Sequence, residues 1–367
     1  MGASLSKAAD PQQGKANGMG KVALWINERT GLIDPLQSFL RYPVPGYVHK
    51  NLLYSLGGLT LVNLLIQLVS GVLLMVYYDP SAVSAYDSVD YIMYQAPLGW
   101  LVRGLHHYGA SSMVILVVLH MIHTFSYSAY KKPREFNWVS GVLLLLITLG
   151  FGFTGYLLPW DQRGYWATKV GTEIAGSLPG LGAILMGLMR GGGELGQLTL
   201  TRFYTTHVIV LPVLLLLFVG FHLALLRFHG MAPAVTKRAQ ARTHETVPFY
   251  PNWMLTDALL GLGLLALLIY LSWTAAAPLE FPADPTGGDY VPKPEWYFLF
   301  FYQLLKYFPG PLEPMATAVI PALIFGSMLL LPFLDTSSER RPWRKPITTG
   351  IALFYLVIIV GLTILAL

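Results

Sequence analysis

The stretch GLHHYGASSMVILVVLH, Gly104–His120, decides how the chain is read. Twelve residues separate His107 from His120 and none is charged, so these imidazoles sit in an apolar segment where an unpaired polar group is expensive. His106 and His120 are 14 residues apart. On a helix turning about 100° and rising about 1.5 Å per residue, that spacing returns to within about 40° of the starting face, about 21 Å along the axis. Starting from His107 instead leaves a mismatch of about 140°, so the register selects His106.

A second pair, His207 and His222, is 15 apart. It overshoots by about 60°, and Pro212 between them is expected to absorb the difference by bending the helix. Two facing helices with an imidazole at each of two depths make two sites for a metal with two axial nitrogens. Haem b suits them: side chains alone hold it, and its apolar macrocycle can be buried inside a bundle. Hydrogen-bonded core histidines or a proton relay are the alternative. Gly57 and Gly71, and likewise Gly141 and Gly155, are also 14 apart on the two neighbouring apolar runs. A missing side chain at each level would let the flat haem approach the backbone, although small-residue helix packing gives the same pattern.

The composition around these helices is that of a membrane protein. Of 367 residues, 54% are hydrophobic and 12% charged, half the charged share of an ordinary soluble chain, about 25%. Apolar runs of spanning length are read at 52–77, 99–128, 138–158, 203–226, 253–273, 315–334 and 347–367. The fold class is therefore all-α and polytopic, with about seven transmembrane helices: an N-terminal four-helix haem-binding bundle and three further helices. Tyr and Trp gather near the run ends, as in interfacial belts. Cysteine is absent, which excludes disulfides and thiolate ligands, so a metal must be held by His or oxygen. The opening residues carry no signal-peptide pattern.

Seventeen of the 24 Lys and Arg fall on one side when the runs are crossed alternately. They include Lys7, Lys15 and Lys50, Lys131 and Arg134, Lys237, Arg238 and Arg242, and Arg340 to Lys345. The positive-inside rule puts that side, and the N-terminus, in the cytoplasm, and the C-terminus outside. A net charge of +5 placed in this way argues against nucleic acid as a partner. Residues 1–24 read as a flexible arm, 25–50 as an interfacial amphipathic segment, 51–229 as the four-helix dihaem domain, 230–250 as a cytoplasmic linker and 251–367 as the three-helix domain. The connections 160–202 and 274–314 are long enough to be functional or disordered.

The motifs GWLVRGLH (99–106), KKPRE (131–135), GYLLPWDQRGYW (155–166), TLTRFYTTH (199–207) and PEWY (294–297) follow one another in an order that resembles cytochrome b of the quinol-oxidising cytochrome bc and bf complexes. The resemblance covers about residues 25–367. The 15-residue spacing, KKPRE and the seven-helix length are similar to the bf branch, with its b subunit and subunit IV fused in one chain. VPFYPNWMLTD (247–257) resembles the bc branch.

The resemblance implies two noncovalent b haems, the outer one held by His106 and His207 and the inner one by His120 and His222. Arg103 then matches a propionate partner, or is an interfacial snorkelling arginine. His123 stands where the family often has an arginine. Glu295, with Tyr156 and Tyr297, is implied at an outer quinol-oxidising site, where a carboxylate can take protons from quinol. Asp257 and Arg227 are implied at an inner quinone site, and either is also readable as a plain interfacial charge. Ser55 in YSLGG occupies the place of the bf branch's haem-attaching cysteine, so no covalent haem c is expected. A Rieske iron–sulfur protein, a c-type cytochrome or equivalent acceptor, a homodimeric complex and an energy-transducing membrane, the bacterial inner membrane, are implied as surroundings. A dihaem anchor of another quinone-linked dehydrogenase and a His-relay proton-coupled transporter are the alternatives.

Overall fold

A computed structural model of the chain describes residues 21–49, 51–233, 235, 245–287 and 290–367. Residues 1–20, and with them most of the expected N-terminal arm, lie outside the described residues, as do Lys50, Lys237, Arg238 and Arg242. The described residues form short helices α1 (Lys21–Thr30) and α2 (Ile33–Leu40), the spanning-length α3 (Leu52–Met75), and the short α4 (Ala85–Tyr94). Spanning-length α5 (Gly99–Ser126) and α6 (Glu135–Tyr156) follow, then α7 (Gln162–Gly176), α8 (Gly182–Arg190) and spanning-length α9 (Gln197–His229). The chain closes with α10 (Phe249–Thr274), the short α11 (Leu299–Lys306), α12 (Gly310–Leu334) and α13 (Pro346–Ala366).

Seven of these are long and apolar enough to cross a membrane, at the positions read from the sequence. Helix is the structure such runs must take, because in hydrocarbon every backbone polar group needs a partner inside its own segment. Leu65, Leu217, Leu259 and Val357 are exposed on their outer faces, as side chains turned to lipid would be. α9 starts earlier than the apolar run suggests. Its first, polar turn is tied down by Thr199 Oγ1 donating to Arg190 O (2.9 Å) and Gln197 Nε2 to Pro80 O (3.0 Å). It ends where Gly230, at φ 66°, supplies a left-handed residue that a side chain would resist.

α3 packs on α5, α6 on α9, and α5 on α6, which makes the four-helix bundle. α10 lies against α5 and α3, α12 against α6, and α13 against α11. Leu64, Met113 and Leu215 form an apolar layer, each about midway along its helix between the two glycine or histidine levels.

Four details refine the sequence reading. The extra residue between His207 and His222 is taken up by a π-turn over Thr206–Val210, where Leu211 N–H donates to Thr206 O, beside Pro212, which has no N–H to give. The bend expected of the proline is thus a one-residue slip in register. Residues 21–24, assigned to the arm, belong to α1. The helical fold carries one small ribbon, in which β1 (Pro43–Pro45) pairs antiparallel with β2 (Thr246–Pro248) and stitches the end of the 230–250 segment to the N-terminal segment. Tyr47 Oη adds a bond to Ala232 O at 2.8 Å. Finally, 160–202 is largely a helical hairpin, α7 and α8, pinned by the buried Arg190, which donates to Thr172 Oγ1 (2.7 Å) and Lys169 O (2.9 Å).

The two parts of the chain are joined by a buried ionic clasp. Asp335, just after α12, receives Lys131 Nζ at 2.9 Å and Lys345 Nζ at 3.1 Å, with all three side chains at most 7% exposed. Tyr130 Oη donates to the same carboxylate. Burial pushes this carboxyl up, but the hydrogen bonds from Lys131, Tyr130, Ser337 and Lys345 prevail and hold it well below the usual carboxylate range.

Candidate functional site

A cavity of about 890 Å³ runs through the four-helix bundle. His106, His207 and Glu295 line it towards one end, and His120, His222 and Asp257 towards the other. The imidazoles meet in the pairs the spacing suggests: ring centroids are 6.2 Å apart for His106 and His207, and 6.5 Å for His120 and His222. Two imidazoles on opposite sides of one metal, each bonded at about 2 Å, place their centroids roughly 6 Å apart. The residues therefore fit a bis-imidazole centre at each level.

Each glycine of the 14-residue register faces one of these rings. A Cβ at Gly57 would meet His120 at 3.2 Å, at Gly71 His106 at 3.2 Å, at Gly141 His222 at 3.6 Å and at Gly155 His207 at 2.5 Å. An imidazole edge lies against each of these gaps.

Three of the four rings are also gripped at Nδ1 by a hydroxyl that the sequence reading missed. Ser70 Oγ lies 3.0 Å from His106 Nδ1, Thr154 Oγ1 3.1 Å from His207 Nδ1, and Ser140 Oγ 2.9 Å from His222 Nδ1. Each hydroxyl donates its own proton to a carbonyl of its helix, those of Ile66, Gly150 and Asn137. Its lone pairs are left to accept Nδ1–H, which fixes the tautomer and frees Nε2 for a metal. The signal was in the sequence as Ser-Gly, Ser-Gly and Thr-Gly at 70–71, 140–141 and 154–155. The fourth glycine follows Leu56, and His120 Nδ1 has no partner among the described residues.

At the His106 end the loop before PEWY is anchored by LPWDQ. Asp161 caps α7 through Gly164 N–H (2.8 Å) and accepts Glu280 N–H at 3.1 Å, while Gln162 N–H donates to Phe281 O (2.9 Å). This holds Glu295 and Tyr297 against the bundle. Tyr297 is buried with its ring beside Gly152, where a Cβ would meet it at 2.8 Å. Tyr156 Oη donates to Lys293 O at 3.2 Å. Burial pushes the Glu295 carboxyl above its ordinary range, and the Arg163 guanidinium 3.6 Å away pulls it back. Arg103 lines the same cavity but bonds the carbonyls of Ala277 (2.8 Å) and Pro278 (2.5 Å), which ties α5 to the segment after α10.

At the His120 end, Asp257 packs so closely on Gly58 that a Cβ there would collide with its carboxylate. Asp257 Oδ1 and His123 Nε2 are buried without a hydrogen-bond partner among the described residues. Tyr54 and Tyr127 flank His123, with ring centroids 4.7 Å away. Arg227 reaches the cavity wall but stacks over Tyr42 at 3.9 Å and donates to Ser38 O at 3.1 Å. KKPRE is structural here: Lys131 serves the clasp, and Arg134 holds the carbonyls of His229, Gly230 and Met231 after α9.

Comparisons with known proteins agree with this arrangement. Residues 40–230 match the family described as Cytochrome b/b6/petB, and residues 282–367 match Cytochrome b(C-terminal)/b6/petD. The chain is 37% identical over 345 residues to a cytochrome bc complex cytochrome b subunit of Chlorobaculum thiosulfatiphilum, covering 93% of this chain and 79% of that one. It is 42% identical over 214 residues to cytochrome b6 of a Desmonostoc strain, covering 58% of this chain and 99% of that one. Among solved structures, a chain of a hyperthermophilic respiratory Complex III superimposes with a TM-score of 0.80 at 34% identity, covering 94% of this chain and 91% of that one. The chain is a multi-pass membrane protein of the cytochrome b family, with the b/b6 part and the C-terminal, subunit IV-like part in one polypeptide.

Proposed function

We propose that this chain is the dihaem subunit of a quinol-oxidising complex, with His106 and His207 holding an outer b haem and His120 and His222 an inner one. The observation that carries the reading is the meeting of four imidazoles in two pairs 6.2 and 6.5 Å apart, each ring seated on a glycine. When bound, the haems supply one-electron transfer with no open coordination position. The protein's part is to orient each ligand, through Ser70, Thr154 and Ser140 at Nδ1 and through the glycines at the ring edge.

In this reading quinol enters near Glu295 on the outer side, whose carboxylate accepts a hydroxyl proton, with Tyr297 and Tyr156 shaping the wall. One electron leaves to a Rieske-type iron–sulfur protein and on to a c-type cytochrome or equivalent acceptor. The other crosses the bilayer to a quinone bound near Asp257, whose carboxyl, with Oδ1 free of a hydrogen bond among the described residues, would give it a proton. Arg227 completes that side, and Arg103 would pair with a propionate of the outer haem. The Lys and Arg asymmetry supports a cytoplasmic N-terminus and an outer C-terminus. Charge moved inward works against about 2.3 kcal/mol per 100 mV, so the reaction stores energy in the membrane potential. The complex is proposed to work as a homodimer.

A reduced-minus-oxidised spectrum with haem quantitation and redox titration of the purified complex tests the reading. Two b-type centres per chain are expected, falling to one in His120→Leu or His222→Leu with the outer centre retained. A preparation that assembles without haem, or keeps both centres after those substitutions, overturns it.

A further inference from the structure

Arg163 follows the LPWDQ segment as the second residue of α7. The Asp161 cap at the start of that helix fixes the direction in which the Arg163 side chain leaves it. Its Nη2 lies 3.6 Å from Glu295 Oε1, and its guanidinium sits 5.5 Å from the centre of the Tyr156 ring. The separation exceeds the about 2.7–2.9 Å of a charge-assisted hydrogen bond, so the two charges attract without being locked together. Glu295 is the buried member, 13% exposed, and Arg163 the one nearer solvent, at 29%.

Among the described residues, few other groups set the charge on this carboxyl. Trp296 N–H on its own segment favours the anion, and Tyr156 of α6 and Tyr297 stand close by. Asp161 and Glu280 act on Arg163 from its other side, and Tyr290 donates to Glu280 at 2.7 Å. Arg103 and His107 line the same cavity. Lys293, two residues from Glu295, is turned away to Leu367 O at 3.0 Å. Arg163 is thus the cation paired with a carboxylate whose burial favours the neutral form.

We propose that Arg163 is the positioning residue of the quinol-oxidising site, holding the buried Glu295 carboxylate as an anion at the cavity wall, ready to accept a proton from quinol. This rests on the reading of Glu295 as the proton acceptor. In the step concerned, a quinol O–H bond breaks, its proton forms a new O–H bond on Glu295, and the carboxylate charge is cancelled. Arg163 then has no partner, and the loose pair separates so that the proton can pass on to water at the exposed side. The two electrons leave through the acceptors named above and pass through neither residue.

The test is the pH dependence of quinol-driven acceptor reduction by the purified complex, with haem content and KM recorded for each variant. A reaction that needs the carboxylate slows as pH falls through the pKa of Glu295. Arg163→Gln removes the nearby positive charge, so its acid limb is expected about one pH unit higher, with both haems and KM little changed. Arg163→Lys keeps the charge and is expected to return the limb towards the native position. Arg163→Met keeps the packing over Tyr156, and it gives the same reading if the glutamine variant does not assemble. An acid limb that stays in place in a fully haem-loaded Gln or Met variant overturns the proposal. So does a limb displaced as far by Lys as by Gln. Glu295→Gln separates the two readings: native activity in that variant overturns Glu295 as acceptor, whereas its loss beside an unmoved Arg163→Gln profile overturns the role of Arg163 alone.

Discussion

Ser140 Oγ lies 2.9 Å from Nδ1 of His222, and the residue after Ser140 is the glycine on which the same imidazole rests. One dipeptide on α6 therefore sets both the tautomer and the position of a ring on α9. Removing the hydroxyl in Ser140→Ala takes one acceptor from the His222 ring, leaving it the Asn137 backbone alone, and makes the ligand less basic. Haem retention is expected to fall about tenfold, and the potential of the inner centre to rise. Haem quantitation and a redox titration read both effects. Leu56→Ser puts a hydroxyl at the corresponding register beside His120 and is expected to move that potential the other way.

The glycines are not equivalent. An added methyl at Gly155 would stand 2.5 Å from the His207 ring, whereas at Gly141 it would reach only ordinary contact, 3.6 Å from His222. Overpacking of the first kind costs about 1–3 kcal/mol. Gly155→Ala is expected to lose the outer haem signal while Gly141→Ala keeps both centres, as measured by spectra of the purified proteins. Equal haem content in the two would refute the assignment of glycine to ring.

Asp161 ties the start of α7 to the loop before PEWY, so its loss should disturb substrate chemistry more than pigment. Asp161→Ala removes a helix cap, which costs about 1 kcal/mol, and frees the Glu280 N–H that ties the loop before PEWY. Both haems are expected to remain while the turnover of quinol drops. Loss of haem in step with turnover would show a general folding defect instead.

The Asp335 clasp predicts a pH-dependent stability. Its carboxyl is held below its unfolded pKa, so the stabilisation is fully present above the unfolded value, about 3.9. It is lost as pH falls below that towards the depressed folded value. Asp335→Ala leaves Lys131 and Lys345 buried without their anion. Breaking a buried pair in this way costs about 3–5 kcal/mol. Thermal unfolding in detergent at neutral pH is expected to come much earlier in the variant. The native protein's advantage over it is expected to shrink only at acid pH, below about 4.

Much of the candidate site was legible because it is written in helix periodicity. The 14-residue spacings of His106 with His120, Gly57 with Gly71 and Gly141 with Gly155 are local facts about 3.6 residues per turn. The same arithmetic was uneasy about the 15-residue pair, and the remedy, a π-turn at Thr206–Val210, depends on hydrogen-bond register that composition does not show. Ser70, Ser140 and Thr154 were overlooked because a hydroxyl in an apolar helix satisfies itself on its own backbone. Nothing in the chain says that its lone pair also faces an imidazole. Arg163 received no role from the sequence for a similar reason: its partner Glu295 lies far along the chain.

What the sequence determined by itself was the number and placement of the spanning helices and the two levels of histidine. Apolar length and helical pitch are properties of contiguous residues, and the bilayer leaves such runs little choice but to be helices. Only the tertiary structure decided which glycine receives which ring, that the 43–45 and 246–248 segments pair, that Asp335 closes on Lys131 and Lys345, and that Arg163 stands beside Glu295. Each of these joins residues from separate segments, and their energy arises from burial and direct contact, which exist only once the helices have packed.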